Sequence, residues 1–197
     1  MSRRRQIQIV SLGLLFAVVL AACSDDSGEA KGATTTTSTT VRSSTTSTAE
    51  DLEAAEGQVV VDALMAADDA AMAALAPPAP NPDLPALLDT HTGPMLKRRQ
   101  EVAQGLRAQG RAVRYGPDSK FRVEVESVDF DGDDVAILSV CAVDDGERFV
   151  VETGEVIAGG LWTVQSTDAM RRVDGGWKLA ERREDNRWKG EAGCAVD

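Results

Sequence analysis

Between residues 52 and 106 the apolar positions fall at steps of three and four. Leu52, Ala55, Val59, Ala63, Ala66 and Ala70 form one stripe, widened by Val60, Leu64 and Ala67, while Glu53, Asp62 and Asp69 lie off it. That period predicts an amphipathic helix, and Thr48 or the acidic first turn of Glu50, Asp51 and Glu53 suits the positive end of its dipole. Pro77, Pro78, Pro80, Pro82 and Pro85 forbid its continuation, because each proline lacks a donor and clashes with the preceding turn. A second apolar pattern runs through Leu84, Leu87 and Leu88, breaks at Thr92-Gly93-Pro94 and resumes as Met95, Leu96, Val102 and Leu106. Lys97, Arg98, Arg99, Glu101 and Arg107 then read as a solvated helix face, with Gly110 as the C-terminal stop.

Beyond Gly110 the period changes from 3.6 to 2. Phe121, Val123 and Val125 alternate with Arg122, Glu124 and Glu126; Val135, Ile137, Ser139, Cys141 and Val143 form the next run, and Phe149 to Val151, Leu161 to Val173 and Trp177 to Arg183 follow. The joints are Asp131-Gly132, Asp145-Gly146, Thr153-Gly154 and Asp174-Gly175, residue pairs that take positive φ at little cost in hairpin turns. Such short joints predict an antiparallel meander. Helices first and strands afterwards give an α+β domain over residues 50–197, with N-terminal helices packed on one face of a curved antiparallel sheet.

The pattern before residue 50 is of another kind. Arg3, Arg4 and Arg5 precede the apolar run Ile7 to Ala22, which is short for a membrane span and has the shape of a secretory leader. Its end, Leu20-Ala21-Ala22-Cys23, resembles the bacterial lipobox. The resemblance implies a leader over residues 1–22, cleavage before Cys23 and a diacylglycerol on that thiol. Residues 23–49 then form a lipid-bearing, Ser/Thr-rich tether that cannot bury enough surface to offset the entropy of ordering; about 26 flexible residues reach roughly 28 Å. This places the folded part on the outer face of the cytoplasmic membrane, with the membrane itself as a partner through the lipid. Its 197 residues hold 21 Lys and Arg against 32 Asp and Glu, a formal charge of −11, which speaks against nucleic acid as a partner. Three of those cations belong to the leader, so the mature chain carries −14 and stands off an anionic leaflet.

Taken with Val128 to Asp133, Cys141 to Asp145, Thr153-Gly154-Glu155, Asp174 to Leu179 and Ala192 to Ala195, the order of elements resembles the nuclear transport factor 2-like (SnoaL-like) superfamily, in particular its lipoprotein members in actinobacteria. The resemblance implies a cone-shaped fold whose helices close over a bent sheet around an apolar cavity. The superfamily's activities range from isomerases and dehydratases to modules without chemistry, so fold alone says little of function.

Three cysteines bear on the exported domain. With Cys23 assigned to lipid, Cys141 and Cys194 are expected to pair as a disulfide, closing a loop worth roughly 4 kcal/mol in the chain-entropy model. The one histidine, His91, supplies no zinc site by itself and reads as a surface or helix-end residue. Asp129-Phe130-Asp131-Gly132-Asp133-Asp134 departs from calcium-loop spacing and reads as a hairpin turn. Trp162, Trp177 and Trp188 read as sheet and core packing. No metal or cofactor is expected. For acid and base work beside a carbonyl, the candidates are Asp168 as base, in the strand Leu161 to Val173, and Tyr115 as donor, beside Gly116-Pro117. The leading expectation is a non-catalytic module that binds a small apolar ligand or an envelope protein. The alternatives are a small isomerase or dehydratase using cavity carboxylates, and a structural subunit that forms a homodimer through its sheet face.

Overall fold

The computed structural model describes residues 49–191 and 193, so the leader, the tether and Cys194 lie outside the described residues. Helix α1 spans Ala49–Leu75 and stops ahead of the proline run. A short helix α2 (Pro85–Thr90) and helix α3 (Gly93–Ala108) follow. The strands are β1 (Arg111–Arg114), β2 (Arg122–Phe130), β3 (Val135–Asp144), β4 (Glu147–Val150), β5 (Val156–Ala158), β6 (Trp162–Val173) and β7 (Gly176–Lys189).

This is the expected α+β arrangement, with one change of topology. The antiparallel strands form two sheets rather than one meander, of order β2-β3-β6-β7 and β1-β4-β5. Strand β1, which sequence periodicity did not mark, pairs along its length with β4, and the Val151 amide donates to the Gly110 carbonyl. That pairing draws the chain after Asp145-Gly146 away from the large sheet until it returns as β6. Strand β7 also runs to Lys189, past the expected end at Arg183, because it stays paired with β6 as far as Trp162↔Lys189.

Strands β6 and β7 are joined through Asp174 (φ 55°) and Gly175 (φ 81°), the positive pair that a two-residue hairpin turn needs to match strand twist. The acidic Asp131–Asp134 segment likewise closes the β2–β3 hairpin, with the Asp131 amide donating to the Val135 carbonyl.

The large sheet bends because its register slips at set places. One slip lies between Val125 and Ser127 in β2, and two lie in β7 opposite Gln165/Ser166 and Ala169/Met170. An extra residue adds local twist and reverses the side-chain phase. After the slip in β2, Val128 and Phe130 share the inner face with Val123 and Val125 and pack on the same core. At one end of that face Ala136, Leu138, Met170, Trp177 and Leu179 are filled by Val60, Leu64 and Ala67 of α1 and by Met95 of α3. Trp177 is held there by its indole N–H, which donates to Glu56 Oε1 at 2.8 Å, and by the Arg172 guanidinium stacked 4.8 Å from its ring. A smaller cluster of Ala71, Ala74 and Leu87 joins α1 to α2. At the opposite end the helices part from the sheet, and the inner face lines a cavity.

Candidate functional site

The cavity has a volume of about 630 Å³, within the range of small-molecule pockets. Its apolar walls are Met72 of α1, Met95 and Val102 of α3, Val113 of β1, Val123 of β2, Val140 and Ala142 of β3, and Trp162 and Val164 of β6, and charged residues including Asp68, Asp144, Arg182 and Glu184 also line it. Trp162 thus faces the cavity with Arg187 stacked 5.6 Å from its ring, a correction to its expected role in packing. Trp177 is a core residue as expected.

At the inner end stands a buried ion cluster. Asp168 is fully buried and accepts three hydrogen bonds from Arg182, at 2.9, 2.9 and 2.6 Å, and one from Ser166 Oγ at 3.0 Å. The same guanidinium donates to Asp68 of α1 at 2.8 and 3.2 Å. One arginine therefore fastens β6, β7 and α1 together. Burial alone would depress the Arg182 guanidinium, but the two carboxylates outweigh it and raise its pKa above the ordinary value.

The two residues singled out for acid and base work are not brought together as a pair at the cavity. Ser166, Arg182 and Tyr115 line it, whereas Asp168 is engaged behind Ser166 and Arg182 with both carboxylate oxygens occupied. A carboxylate held in this way serves as an anchor. Tyr115 instead donates to Asp144 Oδ1 at 3.2 Å, and that oxygen also accepts from the Gly146 amide at 2.9 Å. A Cβ on Gly146 would lie 3.0 Å from the Tyr115 ring carbon and hydroxyl, so glycine at this turn lets the phenol reach its acceptor. Burial, reinforced by Asp144, raises the Tyr115 phenol and keeps its proton on oxygen. Asp144 was missed because the strand was read through Val135, Ile137, Ser139, Cys141 and Val143, whereas the inner face carries the other set, Ala136, Leu138, Val140 and Ala142, which Asp144 ends.

Two further residues depart from expectation. His91 does sit at a helix end, directly after α2, but it is 1 % exposed rather than on the surface. The Thr90 hydroxyl is committed to the Ala86 carbonyl at 2.6 Å, so the 3.0 Å contact with His91 Nδ1 has the imidazole donating. Its Nε2 is then a buried acceptor without a partner among the described residues. Burial, followed by the positive charge of Arg99, lowers the His91 pKa from 6.5 to about 4; Asp68 opposes this and Arg182 reinforces it. Arg99 is not on the solvated face with Lys97 and Arg98. It lines the cavity, half-buried, with its Nε shielded from solvent and without a hydrogen-bond partner among the described residues. Burial and the neighbouring Arg182 lower its pKa from the ordinary arginine value.

Cys141 is buried opposite Gln165 and Glu124, on the face of β3 away from the cavity. Among the described residues no three His, Cys, Asp or Glu side chains gather as a metal site.

A cone of helices on a bent antiparallel sheet, filled at one end and hollow at the other, is the architecture that the nuclear transport factor 2-like resemblance implies. Among solved structures, the chain is similar to the intermembrane space region of the chloroplast protein ARC6, with a TM-score of 0.55 and 16 % identity over 65 % of this chain and 95 % of that one. It also matches a ketosteroid isomerase-like protein from Erwinia carotovora atroseptica SCRI1043, with a TM-score of 0.42 and 18 % identity over 66 % and 97 % of the two chains. At such identities the likeness to the ARC6 region concerns the fold alone. No family model matches the sequence, and no curated protein matches it.

Two outcomes follow from the buried charges. Replacing Arg182 by Met leaves Asp68 and Asp168 without their cation in a buried site, and urea unfolding should show a loss of about 3–5 kcal/mol. His91 should make stability depend on pH. Above 6.5 it is neutral in both states; as pH falls from 6.5 towards 4 the unfolded chain takes up a proton that the folded chain refuses, so folding weakens. The loss approaches about 3 kcal/mol at the lower limit. His91→Asn, which keeps a donor towards Thr90, should flatten the difference between unfolding curves at pH 6.5 and pH 4.5, and an unchanged slope would contradict the assignment.

Proposed function

We propose that this chain is a lipid-anchored binding module which holds a small apolar molecule in the hollow end of its cone. The observation that carries this reading is the cavity, in which Met, Val, Ala and Trp side chains share the walls with polar and charged groups, Asp68, Asp144, Arg182 and Arg187 among them. That combination is how a site excludes water and still orients one ligand. Asp168 is bound up by Arg182 and Ser166 behind the wall, and the carboxylates that line the cavity are held too, Asp68 by Arg182, Asp144 by Tyr115 and Gly146, and Glu184 by Arg187, which favours recognition over proton transfer. The outer face of the large sheet offers less to a ligand or a second copy: Glu126, Ser127, Asp129, Arg183 and Asp185 are polar.

In this reading the lipid on Cys23 and the tether to residue 49 hold the cone outside the cytoplasmic membrane, where a bond between Cys141 and Cys194 persists. Two acyl chains give stable anchoring where one does not, since each buried methylene adds about 0.8 kcal/mol.

A neutral apolar fluorophore, 1-N-phenylnaphthylamine, should bind the protein with one site and enhanced emission. Ala142→Trp, which fills the cavity from β3, should weaken it by roughly tenfold or more, a change of about 1.4 kcal/mol. Binding unaffected by Ala142→Trp would move the ligand site elsewhere. For the anchor, Cys23→Ala or globomycin should leave the precursor unprocessed and abolish palmitate incorporation, and normal maturation would overturn the lipoprotein assignment.

A further inference from the structure

The cavity's charged residues are not equivalent. Arg182 is neutralised by Asp68 and Asp168, and Arg187 by Glu184 at 2.7 Å. Asp144 is supplied by the Tyr115 hydroxyl and the Gly146 amide. Arg98 and Arg148 line the cavity at exposed positions, where water satisfies them. Arg99 differs from all of these. It comes off α3 between Met95 and Ala103, two buried residues four positions to either side, so the helix carries its stem inward. It lines the cavity, its Nε is cut off from solvent, and no described residue accepts from its guanidinium.

A guanidinium offers five donors in a planar fork matched to a carboxylate. Leaving such donors unused in a half-buried site is costly, and an anion entering the cavity removes that cost. The neighbouring walls define the remainder of the ligand. Met95 and Val102 share α3 with Arg99, and Met72, Val123, Val140 and Val164 continue the apolar surface. Val102 is also 42 % exposed, an apolar lip at the mouth.

We propose that the ligand is an amphipathic carboxylic acid, its apolar body against the Met and Val walls and its carboxylate received by the guanidinium of Arg99. This rests on the reading of the cavity as an apolar binding site and adds the head group to it. Arg98 and Arg148 add positive field from exposed positions of the lining, so a mature chain of formal charge −14 still sets cations beside an anionic guest.

The test compares three probes of equal chain length, decanoate, decanol and decyltrimethylammonium, by calorimetry at pH 7.5 and by the emission of Trp162 in the cavity wall. Decanoate should bind roughly tenfold or more tighter than decanol, the order expected of hydrogen bonds to a charged group, and decyltrimethylammonium weakest. Arg99→Gln should erase the preference of decanoate over decanol while leaving decanol affinity within about twofold; Arg99→Lys, which keeps the charge, should restore part of it. Equal affinity for decanoate and decanol in the native protein would overturn the head-group assignment and leave the apolar cavity standing. A preference that survives Arg99→Gln in a folded variant would overturn the role of Arg99. Binding of none of the three probes would overturn the cavity reading and this inference together.

Discussion

The guanidinium of Arg182 is the point at which helix α1 meets strands β6 and β7 of the large sheet. Helix α1 presents Ala67, Ala70, Ala71 and Ala74 to its surroundings, a surface that permits close approach but specifies little, since one small side chain packs much like the next. Hydrogen bonds to Asp68 on the helix and Asp168 on the sheet supply the directional constraint that alanines lack. Ion clusters of this kind gain little net stability over apolar packing, because taking the charges out of water costs several kcal/mol per ion. What the cluster does here is fix how far α1 lies across the sheet, and so where the filled end stops and the cavity begins.

That placement depends in turn on an irregularity in β7. A regular hairpin closed at Asp174-Gly175 would continue the pairing Met170↔Leu179 to set Asp168 opposite Glu181. Two carboxylates would then face each other, an unfavourable cross-strand pair. The slip beside Ala180 moves Asp168 opposite Arg182 instead. The second slip, beside Asp185, returns Arg187 to the inner face opposite Val164, where it reaches Trp162 and Glu184. Bending of the sheet and placement of charge in the cavity are thus one structural event.

The α+β class, the proline-terminated first helix, the hairpin turns at Asp131-Gly132, Thr153-Gly154 and Asp174-Gly175 and the apolar alternation of Val123 and Val125 were legible because apolar period and turn residues agree there, whereas Asp145-Gly146 joins strands of different sheets. Even the slip in β2 is written in the chain, as the step of three between Val125 and Val128. The slips in β7 were not, since alternation is read from apolar residues and the inward positions Arg182, Glu184 and Arg187 are charged. The short strand β1 was obscured for a similar reason: Arg111 and Arg114 flank only Ala112 and Val113, and its partner β4 lies more than thirty residues away. Arg99 could have been found. It continues the stripe Met95, Ala103 and Leu106, but a run of three cations suggests a solvated face whenever charge is weighed above spacing.

Charge around the cluster explains the state of its remaining members. Asp68 and Asp168 carry two negative charges against one on Arg182, and the excess is felt by Arg99, whose guanidinium is attracted to both carboxylates without a hydrogen bond to either. With Arg99 counted, the group is neutral. A proton on His91 would break that neutrality inside the protein, beside two arginines, so its imidazole stays uncharged while its neighbours are ionised. Neutrality also accounts for Arg99 tolerating its position without hydrogen bonds to the aspartates: their field offsets its net charge, while the hydrogen bonds they accept come from Arg182 and, at Asp168, from Ser166. Coulombic attraction acts over distance, whereas hydrogen bonds need contact. The difference between the two is what leaves one arginine of the cluster a structural tie and the other with its donors turned to the cavity.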